Sequence, residues 1–176
     1  MTHEEKMNEL NIDMSQFDKD QIRQIELGVD DGVSFNNIRI YAKKEYDWNQ
    51  MRQIRIGFEE GLTLEEVQVY AFKEYDWVQM CEIRTGFKHH LTIDQVGIYL
   101  NPLYKWSQMR QIRLGLESGL EDRYIGLYLD SNFNWMQMEE IRLGFEEGLT
   151  YEQVSSYANP VLHNEVMHRT RVRISR

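Results

Sequence analysis

Residues 46–63 read YDWNQMRQIRIGFEEGLT, and this segment decides the fold because the chain repeats its pattern at a constant interval. An aromatic residue, a variable residue and a tryptophan open each copy, and successive copies begin 29 residues apart. The four copies with this opening begin at Tyr46, Tyr75, Tyr104 and Phe133. A further copy begins at Phe17, with Lys19 in place of the tryptophan. The spacing predicts five tandem repeats, since a fixed period of this length is typical of repeat proteins.

The first half of each repeat has the apolar spacing of an α-helix. In the copy that begins at Tyr46, apolar residues recur every three or four positions, which places them on one helical face. They are Trp48, Met51, Ile54 and Phe58. Asp47 is the predicted N-cap, and Gly61 is the predicted left-handed residue that ends the helix. We expect the repeated tryptophans of this face to be core residues. They are Trp48, Trp77, Trp106 and Trp135.

The second half of each repeat predicts a shorter helix. Thr63 and Glu66 have the spacing of a capping box, in which each side chain satisfies the other's backbone amide. The same device recurs at Thr92 with Gln95 and at Thr150 with Gln153. Val67 and Tyr70 then fall on the face expected to be buried. Because helices of roughly 8–13 residues are marginal alone, the paired helices must stack on their neighbours.

The sequence therefore predicts an all-α fold, an α-solenoid of five 29-residue helical-hairpin repeats with degenerate half-repeats at both ends. Residues 1–16 form the predicted N-terminal capping half-repeat, 17–161 the five-repeat solenoid, and 162–176 a partial sixth repeat with a basic tail. Apolar positions in the partial repeat are expected either to cap the array or to pair two chains. They are Leu162, Val166 and Met167.

Glycine, arginine and glutamine also recur within the first helix. A mid-helix glycine costs about 1 kcal/mol relative to alanine, so we interpret the glycines as points of close helix approach. They are Gly28, Gly57, Gly86, Gly115 and Gly144. We expect the glutamines to bond between repeats, with a ligand as the alternative. They are Gln21, Gln50, Gln79, Gln108 and Gln137.

The recurring arginines form a predicted ladder with two interpretations. Its members are Arg55, Arg84, Arg113 and Arg142. A ladder of this kind either grips acidic or phosphate groups as a ligand site, or pairs internally with carboxylates. Internal pairing is expected one helical turn later, as between Arg55 and Glu59 or between Arg142 and Glu146, or between adjacent repeats.

Carboxylates recur at the turn between the two helices of each repeat and predict an acidic edge. The residues are Asp30, Asp31, Glu59, Glu60, Glu117, Glu121, Asp122, Glu146 and Glu147. Such an edge serves either solubility or docking onto a basic protein surface. The net charge of −9 disfavours nucleic acid, because nucleic-acid affinity comes largely from cationic contacts.

Nothing in the sequence predicts catalysis. His89 and His90 lack further ligands at metal-binding spacing, and Cys81 lacks an evident dyad partner. We therefore predict no enzyme activity, no cofactor and no metal site. The single cysteine, the absence of an apolar run of about 20 residues and the lack of a signal-peptide pattern predict a cytoplasmic protein with no membrane association.

The unit from Tyr46 to Thr63 resembles a repeat of Firmicutes phages and mobile elements, with the pattern W-x-Q-M-x-x-I-R-x-G-L-E-x-G-L. The resemblance covers residues 17–158. Small acidic proteins of such elements are often inhibitors of host defence, including anti-CRISPR and antirestriction proteins. The resemblance implies a non-catalytic inhibitor that occludes a basic host protein, such as a CRISPR effector or another defence nuclease, with its acidic surface.

Two alternative functions are compatible with the same sequence. One is a general protein-interaction scaffold that holds a peptide on a solenoid face. The other is direct nucleic-acid binding through the arginine ladder and the basic tail from His168 to Arg176. A dimer through the C-terminal end is compatible with any of the three.

Overall fold

The computed structural model describes residues 2–176, and every regular element in that range is helical. This confirms the predicted all-α class. The helices are packed as consecutive hairpins, which is the arrangement of a helical-repeat solenoid. The chain divides into two compact units, one ending at Lys88 and the other beginning at His89. The division falls inside the array predicted over residues 17–161.

The first unit contains six α-helices and one 3-10 helix, Met14–Gln16. The α-helices are α1 (His3–Leu10), α2 (Lys19–Asp30), α3 (Phe35–Tyr41), α4 (Trp48–Glu59), α5 (Leu64–Tyr70) and α6 (Trp77–Lys88). The long helices α2, α4 and α6 pack side by side in chain order, and the short helices α3 and α5 pack against the long helices that they connect.

The second unit repeats the arrangement with shorter connecting helices. Its elements are α7 (Ile93–Gly97), α8 (Trp106–Glu117), α9 (Asp122–Gly126), α10 (Trp135–Glu146), α11 (Tyr151–Ser155) and α12 (Asn164–Ile174). Helix α10 packs between α8 and α12, while α9 contacts α8 and α10.

The predicted caps are confirmed. The carboxylate of Asp47 accepts a hydrogen bond from the Gln50 backbone amide, and the Gln50 side-chain oxygen accepts one from the Asp47 amide, each at 2.9 Å. Gly61 has a φ of +86°, the left-handed conformation that ends α4. His90 takes the corresponding conformation with a φ of +67°. The predicted threonine capping boxes are also present at Thr63, Thr92 and Thr150.

Close approach at the mid-helix glycine is confirmed. A Cβ built on Gly57 would overlap the hydroxyl of Tyr70 and lie 3.4 Å from its Cζ. That hydroxyl donates to the Gln53 carbonyl at 3.3 Å. The glycine therefore makes room for the tyrosine of the second helix in the same repeat. The same overlap occurs at Gly28, Gly115 and Gly144.

The expectation that the tryptophans are core residues is wrong. Of the two aromatic residues in the repeat opening, Tyr46 is 2% exposed and Trp48 is 40% exposed. The tryptophan is the first residue of its helix, where side chains lean back beyond the helix start. Its indole therefore lies outside the area that the second helix covers, and the preceding tyrosine or phenylalanine enters the core instead.

The two terminal elements behave as half-repeats. Helix α1 buries Leu10, and α12 buries Met167, whose side chain is fully buried within the chain. Met167 therefore caps the second unit and is not accessible for pairing with another chain. Position 173 corresponds to the mid-helix glycine but carries Arg173, which is exposed. Across residues 2–176, no helix combines the length and apolar character required to cross a bilayer.

Candidate functional site

The glutamine ladder is structural, as predicted. The Gln50 side-chain nitrogen donates to the Tyr75 carbonyl at 2.7 Å and to the Lys73 carbonyl at 3.2 Å. Its oxygen caps α4 at the same time. Gln21 and Gln137 make the equivalent bonds to the carbonyls of Tyr46 and Leu162. In these repeats one buried side chain thus joins the start of the first helix to the backbone of the next repeat.

The arginine ladder lies inside the repeats and makes the predicted internal pairs. Arg55 Nε donates to Gln24 Oε1 at 3.3 Å, its Nη1 pairs with Glu59, and its side chain is 8% exposed. Arg142 donates to Gln111 at 3.0 Å and pairs with Glu146 at 2.6 Å. This placement favours the structural interpretation of the ladder over ligand binding, because a ligand would have to displace these partners.

The acidic edge is largely paired by the same arginines. In the first unit, Glu60 pairs with Arg84 and with Lys88. Burial works to raise the pKa of Glu60, but hydrogen bonds and positive charge from Lys88 and Arg84 outweigh it and lower that pKa. The carboxylate is therefore held ionised.

In the second unit, Glu117 pairs with Arg113 at 2.5 Å and with His89 at 2.9 Å. The carboxylate of Glu147 pairs with Arg171. Five edge carboxylates pair with arginine one turn away or in the next repeat. They are Glu59, Glu60, Glu117, Glu146 and Glu147.

The remaining edge carboxylates are more exposed and more weakly held. The Glu121 side chain is 66% exposed and lies 3.1 Å from Arg123. Asp30 faces His3 at 2.7 Å. Asp31 lies 3.5 Å from Arg55. The edge is thus a series of ion pairs with a few exposed carboxylates, not an open row of negative charge.

The tryptophans form a surface that the sequence did not predict. Each indole is about two-fifths exposed at the start of a long helix. In the first unit the exposed indoles are those of Trp48 and Trp77, and in the second unit those of Trp106 and Trp135, which we call the tryptophan face. Two sequence signals point to its exposure. The first signal is that the tryptophan directly follows the N-cap. The second is that the residue one helical turn after Trp48 and after Trp106, on the same side of the helix, is an exposed arginine, Arg52 or Arg110.

Between α8 and α10 the tryptophan face contains a cavity of about 360 Å³. We call it the tryptophan groove; it is lined by Trp106, Ser107, Arg110, Gln111, Leu114, Trp135 and Glu139. The Arg110 guanidinium lies 5.4 Å from the centre of the Trp106 ring, within the range of a cation–π contact. The Gln111 side-chain oxygen already accepts a hydrogen bond from Arg142. The amide nitrogen is the hydrogen-bond donor of the same side chain.

A second cavity of about 330 Å³ adjoins the groove at the helix starts. Ser107 and Trp135 line both cavities, which makes the Trp135 indole a shared wall. Leu103, one of the most exposed apolar side chains, lines only the second cavity. The tryptophan groove is mainly apolar, the usual character of a ligand or peptide site, whereas the second cavity is lined mostly by polar side chains.

The described part of the chain contains no group of three or more histidine, cysteine, aspartate or glutamate side chains arranged to hold a metal ion. Cys81 is a half-buried free thiol, as expected from its position in the repeat. Compared with protein-family models, with curated proteins and with solved structures, the chain matches none.

Proposed function

We propose that the chain is a non-catalytic protein-binding repeat protein that recognises a segment of its partner through the tryptophan groove. The observation that carries the proposal is the pair of exposed indoles, Trp106 and Trp135, beside a cavity of about 360 Å³. Tryptophan is the residue most typical of binding hot spots, because it removes a large area from water and has little side-chain entropy to lose. Two such residues bordering one apolar groove support recognition of a partner segment.

The groove is a better candidate than the acidic edge because of how the charges are arranged. Carboxylates that already pair with buried arginines exert a weaker field on a distant partner. Glu60 and Glu147 each have an arginine partner in the neighbouring repeat. A partner that docked on them would compete with bonds that hold the repeats together.

A second candidate is the one that the resemblance to mobile-element repeats implies. In that candidate the protein occludes a basic, nucleic-acid-handling host protein such as a CRISPR effector. It is supported by the net charge of −9 and by the exposure of Glu121. Its association rate is expected to fall steeply with salt. Binding of nucleic acid through the arginine ladder has less support, because those guanidinium groups are paired inside the repeats.

The test is affinity capture from a host lysate that contains a CRISPR effector and its guide RNA, with nuclease treatment in parallel. Three variants separate the surfaces. One replaces Trp106 and Trp135 by alanine. A matched control replaces Trp48 and Trp77, which are equally exposed. A third carries Glu121→Gln with Asp122→Asn, which removes exposed charge from the edge.

The groove proposal expects a nuclease-resistant partner that is lost only with the Trp106 and Trp135 variant. Loss with the Glu121 and Asp122 variant, together with salt-sensitive capture, would favour acidic occlusion instead. Capture that disappears with nuclease would identify nucleic acid as the bound species and would overturn both proposals.

A further inference from the structure

We infer that the chain associates head to tail with a second copy of itself, so that α12 of one copy packs against α2 of the next. The inference concerns a surface other than the tryptophan groove and is independent of it. Within residues 2–176, no long helix follows α12 and none precedes α2. The residues of both helices are altered, in complementary ways, at the positions where a further long helix would pack.

Consecutive long helices meet at a recurring joint between an arginine and two acceptors. Arg84 of α6 donates from Nε to the side-chain oxygen of Gln53 on α4 at 3.3 Å, and its Nη1 pairs with Glu60. Residues at the same two distances in sequence, 31 and 24 positions earlier, accept from Arg55 and from Arg171. The later helix therefore provides the cation, and the earlier helix provides the acceptors.

The two sides of a long helix are marked by residues two positions apart. On α4, Gln53 bonds forward to α6 and Arg55 bonds back to α2. Residues two positions apart point about 200° apart around a helix. By the same geometry, Arg169 on the forward side of α12 points away from α10, and Glu26 on the rear side of α2 points away from α4.

The forward side of α12 carries cations where other long helices carry acceptors. Arg169 corresponds to Glu140 and Arg176 to Glu147, each 29 residues earlier. Both arginines are exposed, as is Arg173, and within residues 2–176 none of the three pairs with a carboxylate. This side repels the arginine of an ordinary repeat and suits an acidic partner. We call it the C-terminal face, formed by Val166, Arg169, Arg173 and Arg176.

The rear side of α2 has the opposite alteration. Glu26 stands at the position of Arg55, 29 residues earlier. Its side chain is 34% exposed and pairs with Arg23 of the same helix at 3.4 Å. Asp30, one turn further along, is 48% exposed and lies 2.7 Å from His3 of α1. Both carboxylates therefore remain open to a cation from outside the chain.

Two apolar side chains near these carboxylates are only half-buried. Ile22 corresponds to Met51, which is fully buried, and Phe17 corresponds to Tyr46, which is 2% exposed. On α12, Val166 is 46% exposed and stands where most other long helices carry the glutamine that bonds to the next repeat. The N-terminal face is formed by Phe17, Ile22, Glu26 and Asp30.

Packing the two faces in the register of the internal joints brings complementary groups together. The internal joints place a glutamine on a backbone carbonyl, a glutamine on an arginine and a glutamate on a lysine. At the equivalent positions, the two copies pair Val166 with Phe17, Arg169 with Glu26, and Arg176 with Asp30. One polar contact becomes apolar on both sides, and in the other two the earlier helix now provides the cation.

The distribution of charge favours a second copy over nucleic acid. Residues 2–31 contain nine carboxylates against three lysine and arginine side chains, whereas residues 164–176 contain four arginines against one glutamate. A second copy satisfies both faces, but nucleic acid would satisfy the C-terminal face alone. Because the two faces differ, the contact is heterologous, and the assembly either closes into a ring or extends.

The experiment measures the mass of the full chain in solution by sedimentation equilibrium over a wide range of concentration. One joint between helices is a small interface, so association is expected only in concentrated solution. The mean mass is expected to rise above 21.2 kDa with concentration. Association is expected to be about tenfold weaker at about 0.5 M salt than at about 0.05 M, because salt screens exposed charges.

Two charge reversals test the joint. Arg169→Glu and Glu26→Arg are each expected to weaken association by about tenfold or more, because like charges then meet. A mixture of the two proteins is expected to associate as the parent protein does, since the two altered faces match each other and so do the two unaltered faces. Arg52→Glu is the control, because this exposed arginine of α4 belongs to neither face; it is expected to leave association unchanged.

A mass that stays at 21.2 kDa at every concentration in low salt would overturn the inference. Association that neither reversal weakens, or a mixture that stays monomeric, would do so as well. A labelled oligothymidylate that binds the parent protein but not the Arg169→Glu protein, without self-association, would assign the C-terminal face to nucleic acid instead. If either reversal does not fold by circular dichroism, Arg176→Glu and Asp30→Arg replace the pair, because both side chains are exposed.

Discussion

The hydroxyl of Tyr70 lies where any residue other than glycine at position 57 would place its Cβ. The tyrosine is fully buried and donates to a carbonyl of the helix that contains Gly57. Its ring therefore has no free space into which it can move. This contact sets how closely the two helices of a hairpin approach, and it recurs at Gly28, Gly115 and Gly144.

Replacing Gly57 by alanine is expected to lower the free energy of unfolding by about 1–3 kcal/mol, the usual effect of overpacking a core. This expected loss is opposite in sign to the effect of helix propensity, because alanine is a better helix former than glycine by about 1 kcal/mol. Urea denaturation followed by far-ultraviolet circular dichroism measures the change. Gly97→Ala is the control, because a Cβ at that helical position meets no atom within 4 Å.

Combining Gly57→Ala with Tyr70→Phe tests the cause. Removing the hydroxyl leaves the nearest ring carbon at an ordinary contact distance of 3.4 Å from the new methyl. The double variant is therefore expected to be more stable than the sum of the two single effects predicts. Strict additivity would show that the hydroxyl is not what the methyl meets.

Replacing Gln50 by alanine is expected to cost about 1–3 kcal/mol, because the buried Tyr75 carbonyl loses its donor. The N-terminal cap of α4 is weakened by the same change. Gln95→Ala is the matched control. The Gln95 side chain accepts a hydrogen bond from the Thr92 amide in the same way. Within residues 2–176, however, that side chain makes no hydrogen bond to a following repeat. Equal losses in the two variants would mean that capping alone explains the effect.

Replacing Arg55 by methionine is expected to cost about 3 kcal/mol, since it leaves the half-buried Glu59 and the Gln24 side-chain oxygen without their donor. Arg52→Met, on the exposed side of the same helix, is expected to stay within about 0.5 kcal/mol of the parent protein. Thermal unfolding of the two variants provides the comparison. A neutral Arg55→Met would reopen the interpretation of the ladder as a ligand site.

The second-helix tyrosines predict a loss of stability at alkaline pH. Burial raises the pKa of these phenols above 10. They are Tyr41, Tyr70, Tyr128 and Tyr157. A folded-state pKa above the unfolded value means that the stabilisation is complete below about pH 10 and is lost as pH rises towards the folded value. Each tyrosine is expected to contribute about 1.4 kcal/mol of loss per pH unit.

Urea midpoints measured on both sides of pH 10 test this prediction. Tyr70→Phe removes one buried phenol and is expected to reduce the alkaline slope by one tyrosine's contribution. A slope that does not change in this variant would show that other groups cause the alkaline loss.

The sequence alone was sufficient for the period, the helical class, the caps and the close approach at Gly57. Each of these depends on residues within one repeat, separated by three or four positions in a helix or by thirteen between the glycine and its tyrosine. Helix caps are local interactions that recur in most copies; at Lys105 and Glu121 the N-cap side chain makes no cap hydrogen bond. Recurrence in register made these local patterns visible without any knowledge of packing.

Only the tertiary structure decided which side of each helix is covered. Tyr46 and Trp48 both open the repeat, and the sequence does not indicate which of the two the neighbouring helices bury. The same holds for charge. The spacing permitted Glu60 either to face solvent or to pair with Arg84 of the next repeat, 24 residues away. Burial and ion pairing depend on where distant segments pack, so the tryptophan groove emerged from the packing of α8 against α10 and not from the motif itself.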